Sequence, residues 1–234
     1  MAERIIYLTE EELEKCREFS TKSALQQQEI EYGESATKPR PKEEIARDNL
    51  IGKIAEAAFR KMLKEDRNID IELDFEYYPR GKWDSQDAEY NGWKIDVKGT
   101  RVGHWMLIEW NKLEFRQKDD ELSHVYVMFS VEWKGDAPTG KVIYRGFATL
   151  ARLSREFPKT EVLPRGSALP GTRLESLQTD NFGIKFEDLY SYPPDLYDLL
   201  TAMKPFKQIT DNYRNPRSGK TTLEILKEKG RGAI

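Results

Sequence analysis

Residues 87–100 read DAEYNGWKIDVKGT and contain both a hairpin and a charge problem. Asn91-Gly92 between two alternating segments signals a two-residue type I′ turn, because both central residues of that turn need φ > 0. With these two as the loop, Tyr90 pairs with Trp93, Glu89 with Lys94, Ala88 with Ile95 and Asp87 with Asp96. Strand side chains alternate, so Trp93, Ile95 and Val97 point into a core. Lys94, Asp96 and Lys98 take the other face, with Asp96 and Lys98 about 7 Å apart along the strand. Glu89 and Lys94 compensate each other. Asp87 and Asp96 become directly opposed like charges, which destabilise a sheet. One lysine two residues away is a poor match for two acids, so the pair asks for a cation. Hard carboxylate oxygens select Mg²⁺ or Mn²⁺. A lone cysteine, Cys16, and two histidines, His104 and His124, argue against zinc. The bland alternative is that the acids diverge into solvent, screened by Lys94 and Lys98.

Upstream, a helix is expected from about Pro41 to Lys64, where Leu50, Ile51, Ile54, Ala55, Ala58, Phe59, Met62 and Leu63 recur at helical spacing. Glu56 shares a line with Asn49, Gly52, Phe59 and Leu63. Phe59 and Leu63 belong in a core, so Glu56 is aimed toward the sheet. Gly52, one turn earlier, leaves room for a backbone or a ligand. The structural alternative for Glu56 is an ion pair with Arg60 at i+4.

The remaining punctuation sets the organisation. Residues 9–31 read as a helix with Thr9 as N-cap and Glu12 closing a capping box. Gly33, Pro39 and Pro41 break the chain over 32–42. Strands are expected at 69–78, 104–110, 124–133 and 141–150, a short helix at 149–157, and further helices at 194–203 and 221–229. Helices flanking a run of strands indicate an α/β (α+β) domain around a central mixed sheet. The segment RNPRSGKTT (214–222) ends like a phosphate-binding loop, but residue 214 is Arg where a Gly is required, and no apolar strand precedes it.

Composition narrows the function classes. The 234 residues suit one large domain or a core with extensions, and carry a formal net charge of −3. No apolar run approaches the roughly 20 residues of a membrane span. The start lacks a secretory pattern, so the expectation is a cytoplasmic protein with no membrane partner. Charge is uneven: residues 1–34 hold nine Glu against four Lys/Arg, while residues 204–234 hold eight Lys/Arg against three acids. Such asymmetry fits one end meeting an anionic partner, or simply a solvated basic tail.

Gly52-x-x-Ala55-Glu56 in a helix, then Asp87, then Ile95-Asp96-Val97-Lys98, resembles the PD-(D/E)xK nuclease superfamily of restriction-endonuclease-like fold, in its small phage and bacterial form. HVYVMFSV (124–131) and YRGFATLARL (144–153) resemble strand and strand-to-helix segments of the same members. The likeness covers about residues 45–157. It departs from the family at Gln86, where a proline precedes the first acid. Asp84 is a rival for that acid; in the hairpin register it falls opposite Gly99 on the wrong face, so Asp87 is preferred.

The resemblance implies a nuclease core at 41–157, an N-terminal helical extension at 1–40, and a C-terminal extension at 158–234, either accessory or part of the same domain. It implies that Asp87, Asp96 and the Val97 carbonyl bind Mg²⁺ (or Mn²⁺), and that Glu56 reaches the metal directly or through water. Lys98 would orient the attacking water or offset phosphate charge. Arg101 is the candidate nucleic-acid contact. The expected activity is metal-dependent endonucleolytic cleavage of DNA in a defence, restriction or mobile-element setting, with a homodimer compatible. RNA cleavage, junction resolution and non-catalytic nucleic-acid binding are the alternatives.

Overall fold

The Asn91-Gly92 turn forms as the sequence predicts, with φ of 50° and 77°. It joins β2 (Ala88–Tyr90) to β3 (Trp93–Thr100) in the expected register, Tyr90↔Trp93, Glu89↔Lys94 and Ala88↔Ile95. The structure, a computed structural model, describes residues 3–28, 41–73, 75, 87–109, 123–150, 160–169, 176–177, 179 and 181–202.

Two helices lead into this hairpin. α1 (Glu10–Gln28) opens on the expected capping box: the Glu12 N–H donates to Thr9 Oγ1 at 3.2 Å, and the Thr9 N–H donates to Glu12 Oε2 at 2.6 Å. α2 (Lys42–Arg67) ends where Asn68 turns left-handed, at φ 54°. Its stripe of Ile54, Ala55, Ala58, Phe59, Met62 and Leu63 is fully buried. Full burial of each large apolar side chain contributes roughly 1.5–3 kcal/mol. Close approach to the sheet is made at Gly99, where a Cβ would come within 2.7 Å of the Ile51 carbonyl oxygen and 3.0 Å of the Ala55 Cβ. Gly52, the expected close-approach residue, has nothing within 4 Å of where its Cβ would stand.

The central sheet has the order β1-β6-β5-β3-β2 and is mixed. β3 runs parallel to β5 (Val125–Lys134), and β5 pairs antiparallel with β6 (Ala137–Thr149). β6 pairs antiparallel with β1 (Ile5–Tyr7). The short strand β1 lay hidden in the expected N-terminal helical extension. The chain is thus a mixed α/β protein, with helices flanking a five-stranded sheet.

The expected strand at 69–78 does not form over residues 69–73; the rest, residue 75 excepted, lies outside the described residues. Ile69 and Ile71 are buried while Asp70 and Glu72 are exposed, so the alternation reflects an extended chain packing on the core. Period two reports which side chains are buried, and says nothing about ladder partners.

The expected strand at 104–110 forms as β4 (Trp105–Glu109), but in a different sheet. It joins β8 (Asn181–Lys185) and β7 (Thr160–Leu163) in an antiparallel sheet of order β4-β8-β7. Both partner strands lie beyond residue 158, where the sequence predicts helices but no strand. Met106 and Ile108 of β4, with Phe182 and Ile184 of β8, pack on Tyr126 and Met128 of β5. This second sheet therefore covers the face of β5 opposite α2.

The last described helix, α3 (Pro193–Ala202), matches the expected 194–203, and its Leu196, Tyr197 and Leu200 enter the main core. Asn91 Nδ2 donates to the Leu200 carbonyl at 3.1 Å, tying α3 to the hairpin tip. Residues 181–202 thus share a core with 41–157. The expected helix at 149–157 begins at Leu150; its remainder, Asp84 and the helix at 221–229 lie outside the described residues. Among the described residues no helix is long and apolar enough to cross a membrane.

Candidate functional site

The site is built on β3, where buried and half-buried residues alternate from Trp93 to Lys98. Trp93, Ile95 and Val97 enter the α2 core, which leaves Asp96 and Lys98 on the opposite face. Lys98 Nζ lies 2.6 Å from Asp96 Oδ1 and 2.9 Å from Oδ2. Their side chains are 20% and 13% exposed, sheltered without being sealed. On β5 the residues in register with them are Tyr126 and Met128, both apolar contacts of the second sheet. The ion pair sits where that covered face ends.

Asp87 reaches the same spot by another route. The ladder stops at Ala88↔Ile95, and the Asp87 N–H donates to the Ile95 carbonyl at 3.1 Å, the carbonyl opposite Ala88. This resembles a bulge, in which two residues face one. Asp87 therefore leaves the regular register in which it would oppose Asp96 directly. Its Oδ2 accepts the Val97 N–H at 2.6 Å, which brings its carboxylate beside the peptide between Asp96 and Lys98. The opposed-acid problem is met in part by the chain itself: Lys98 attends Asp96, and a backbone amide attends Asp87.

Charge remains uneven around the lysine. Burial alone would lower the Lys98 pKa, but Asp96, Asp87 and Glu109 outweigh it and hold the ammonium above its ordinary value. Glu109, the last residue of β4, was not among the sequence candidates. The strand pattern of 104–110 showed a strand but not which sheet it joined.

Glu56 has different company. Its Oε2 lies 2.6 Å from Lys53 Nζ, and the pair is buried, with side chains 7% and 11% exposed. The Lys53 ammonium also stands 4.3 Å from the Phe19 ring centroid and 5.2 Å from that of Phe75. The neighbouring Cys16 thiol is pushed up to about 12, first by burial and then by the Glu56 charge. Glu56 thus faces α1. The expected Arg60 alternative is not used, since Arg60 pairs with Asp70.

His124 supports the site from below. Its ring Nδ1 accepts the Lys94 backbone N–H at 3.1 Å, and the His124 backbone N–H donates to the Lys94 carbonyl at 2.8 Å. Burial, with the nearby Lys94 charge, lowers its pKa to about 4, so it is neutral at pH 7. Arg101 is exposed just past β3, its guanidinium 5.5 Å from the centre of the Trp133 ring.

Among the described residues no three His, Cys, Asp or Glu side chains are grouped to hold a metal ion. The donor set at β3 is therefore Asp87 and Asp96. Two carboxylates suit Mg²⁺, which keeps several waters and borrows phosphate oxygens from its substrate. No family model, no curated protein and no solved structure matches the chain.

Proposed function

We propose that the protein is a metal-dependent nuclease that hydrolyses phosphodiester bonds, with DNA as its substrate. One observation carries this reading: Asp87, Asp96 and Lys98 converge around the Val97 peptide. Asp87 and Asp96 would hold Mg²⁺ or Mn²⁺, with the Val97 carbonyl available beside them. When bound, the ion supplies phosphate neutralisation and an activated water. Lys98, within reach of Asp96 and the proposed metal ligands, would orient the attacking water or offset phosphate charge. Asp96 holds that ammonium in place. Glu56, the acid that helical spacing aimed toward the sheet, is engaged by Lys53, and its entry into the site requires that pair to part.

The test is a digest of duplex DNA, single-stranded DNA and RNA with Mg²⁺, with Mn²⁺ and with chelator. Wild type should cut DNA only with metal. Asp96→Asn, Lys98→Ala and Asp87→Ala should each drop cleavage to background, whereas Asp84→Ala should spare most of it. Full activity in Asp96→Asn or Asp87→Ala would overturn the site. Nucleic-acid binding without any metal-dependent cleavage would select a non-catalytic reading, which the Lys98–Asp96 ion pair also suits.

A further inference from the structure

Beyond Lys98 the chain leaves β3 and places Arg101 over Trp133. β3 and β5 are parallel, with Thr100 opposite Ser130, so Arg101, Trp133 and Lys134 all lie past the same end of this strand pair. In open α/β sheets, ligands bind outside the carboxyl ends of the strands. Arg101 stands three positions beyond Lys98, a span of at most about 10 Å.

Most cations of the described structure are committed to acids. Arg4 holds Asp66, Arg17 holds Glu10, Lys61 holds Glu12, Lys141 holds Glu132 and Arg145 holds Glu3. Arg101 and Lys134 are exposed and have no acid within ion-pair distance among the described residues. Trp133 is half-buried against the main core, and its indole N–H is buried with no hydrogen-bond partner among the described residues. The ring is therefore fixed by packing and offers its face to the guanidinium. A guanidinium laid on such a ring has already lost much of its rotamer freedom before any ligand arrives. Its exposed N–H edge matches the two-oxygen geometry of a phosphate.

We propose that Arg101, positioned by Trp133 and flanked by Lys134, is a clamp for the phosphate backbone of the DNA strand that enters the Asp87–Asp96–Lys98 site. The proposal rests on the nuclease reading and adds to it the path of the strand. Trp133 is a positioning residue, since it acts through Arg101.

The experiment measures binding of the full chain to a fluorescent duplex, and to one of its strands alone, in chelator from 50 to 200 mM salt. Each phosphate contact contributes about one to the slope of log K against log salt, so Arg101→Ala should reduce the slope by about one, and Lys134→Ala likewise. Trp133→Leu should reproduce the Arg101→Ala loss with Arg101 still present, and Trp133→Phe should restore binding. The double variant Arg101→Ala/Trp133→Leu should bind no worse than Arg101→Ala. Arg101 is exposed, so Arg101→Ala should melt with wild type, and it keeps the test decisive if Trp133→Leu fails to fold. Unchanged affinity and slope in Arg101→Ala, with wild type still cutting DNA, would overturn the clamp and leave the nuclease reading standing. Wild type that neither binds nor cuts DNA would overturn both.

Discussion

The molecule holds two carboxylate–lysine pairs with the same 2.6 Å contact and opposite surroundings. Lys53–Glu56 spans one helical turn of α2 and is walled by Phe19, Phe75 and Cys16. Lys98–Asp96 spans two residues of β3, more open, with Asp87 and Glu109 acting on the same ammonium. The helical pair is buried, with the Phe19 and Phe75 rings beside its ammonium. The strand pair has a second acid, Asp87, close by, and Glu109 also acts on its ammonium. Burial makes the first pair dangerous to break. A Glu in a helix followed by D-x-K looks like one constellation in sequence, yet the two halves of it face different environments.

The largest effect expected of any single change belongs to the helical pair. Lys53→Met takes the ion-pair partner from a buried Glu56 carboxylate, and removing one partner of a buried pair costs about 3–5 kcal/mol. Urea midpoints should show that loss, and Lys53→Met/Glu56→Gln should recover much of it, because the uncompensated charge is gone. An additive double variant would mean that Glu56 answers mainly to something other than Lys53.

Next in size is a pH effect beneath the strand pair. Protonating His124 would put a proton on the nitrogen that accepts the Lys94 N–H and would bury a charge. The unfolded histidine binds its proton near 6.5, and the folded one only near pH 4. Its contribution is therefore fully present above pH 6.5 and is lost as pH falls toward 4, by on the order of 3 kcal/mol. Denaturation of wild type and His124→Gln at pH 7 and 4.5 isolates it from the carboxylates: wild type should lose more than the variant. Equal losses would show that the histidine charges freely and that the base of the site is looser than its hydrogen bonds suggest.

The smallest effect separates the two pairs most directly. If the strand pair recruits a metal, Mg²⁺ or Mn²⁺ at about 100 times its dissociation constant should stabilise the fold by roughly 2.7 kcal/mol. Asp87→Asn and Asp96→Asn should each abolish this shift against salt-matched controls, while Glu56→Gln should keep it. Without metal, Asp96→Asn should melt no lower than wild type, because it removes one of two neighbouring acids while Asp87 and Glu109 still act on the Lys98 ammonium. A shift lost in Glu56→Gln as well would bring the helical acid into the metal site and erase the contrast between the pairs.

The strand site was largely legible in the sequence, because local rules built it. A two-residue turn fixes register, register fixes faces, and Asp96 and Lys98 two residues apart must share one. Asp87 was legible as a neighbour but not in its manner of approach, since a bulge depends on which carbonyl wins the Asp87 N–H. The orientation of Glu56 escaped because helical spacing gives angles around an axis, and α1, which settled that angle, arrives from elsewhere in the chain. Glu109 and Trp133 escaped for a related reason. Each was visibly part of a strand, and nothing in a strand's own alternation says which sheet or which arginine it will meet.

By itself the sequence determined α1, α2, the β2–β3 turn, the β3 face carrying Asp96 and Lys98, and most of the strand positions. Those follow from capping side chains, from left-handed dihedrals at Asn91-Gly92, and from periods of 3.6 and 2 that act over a few residues. Only the tertiary structure decided that β4 leaves the central sheet for β8, that residues 69–73 pack extended without joining a sheet, and that Glu56 turns to Lys53 and α1. These outcomes depend on contacts between segments up to a hundred residues apart, where the winner is set by competing burial and pairing, and no local pattern records that competition.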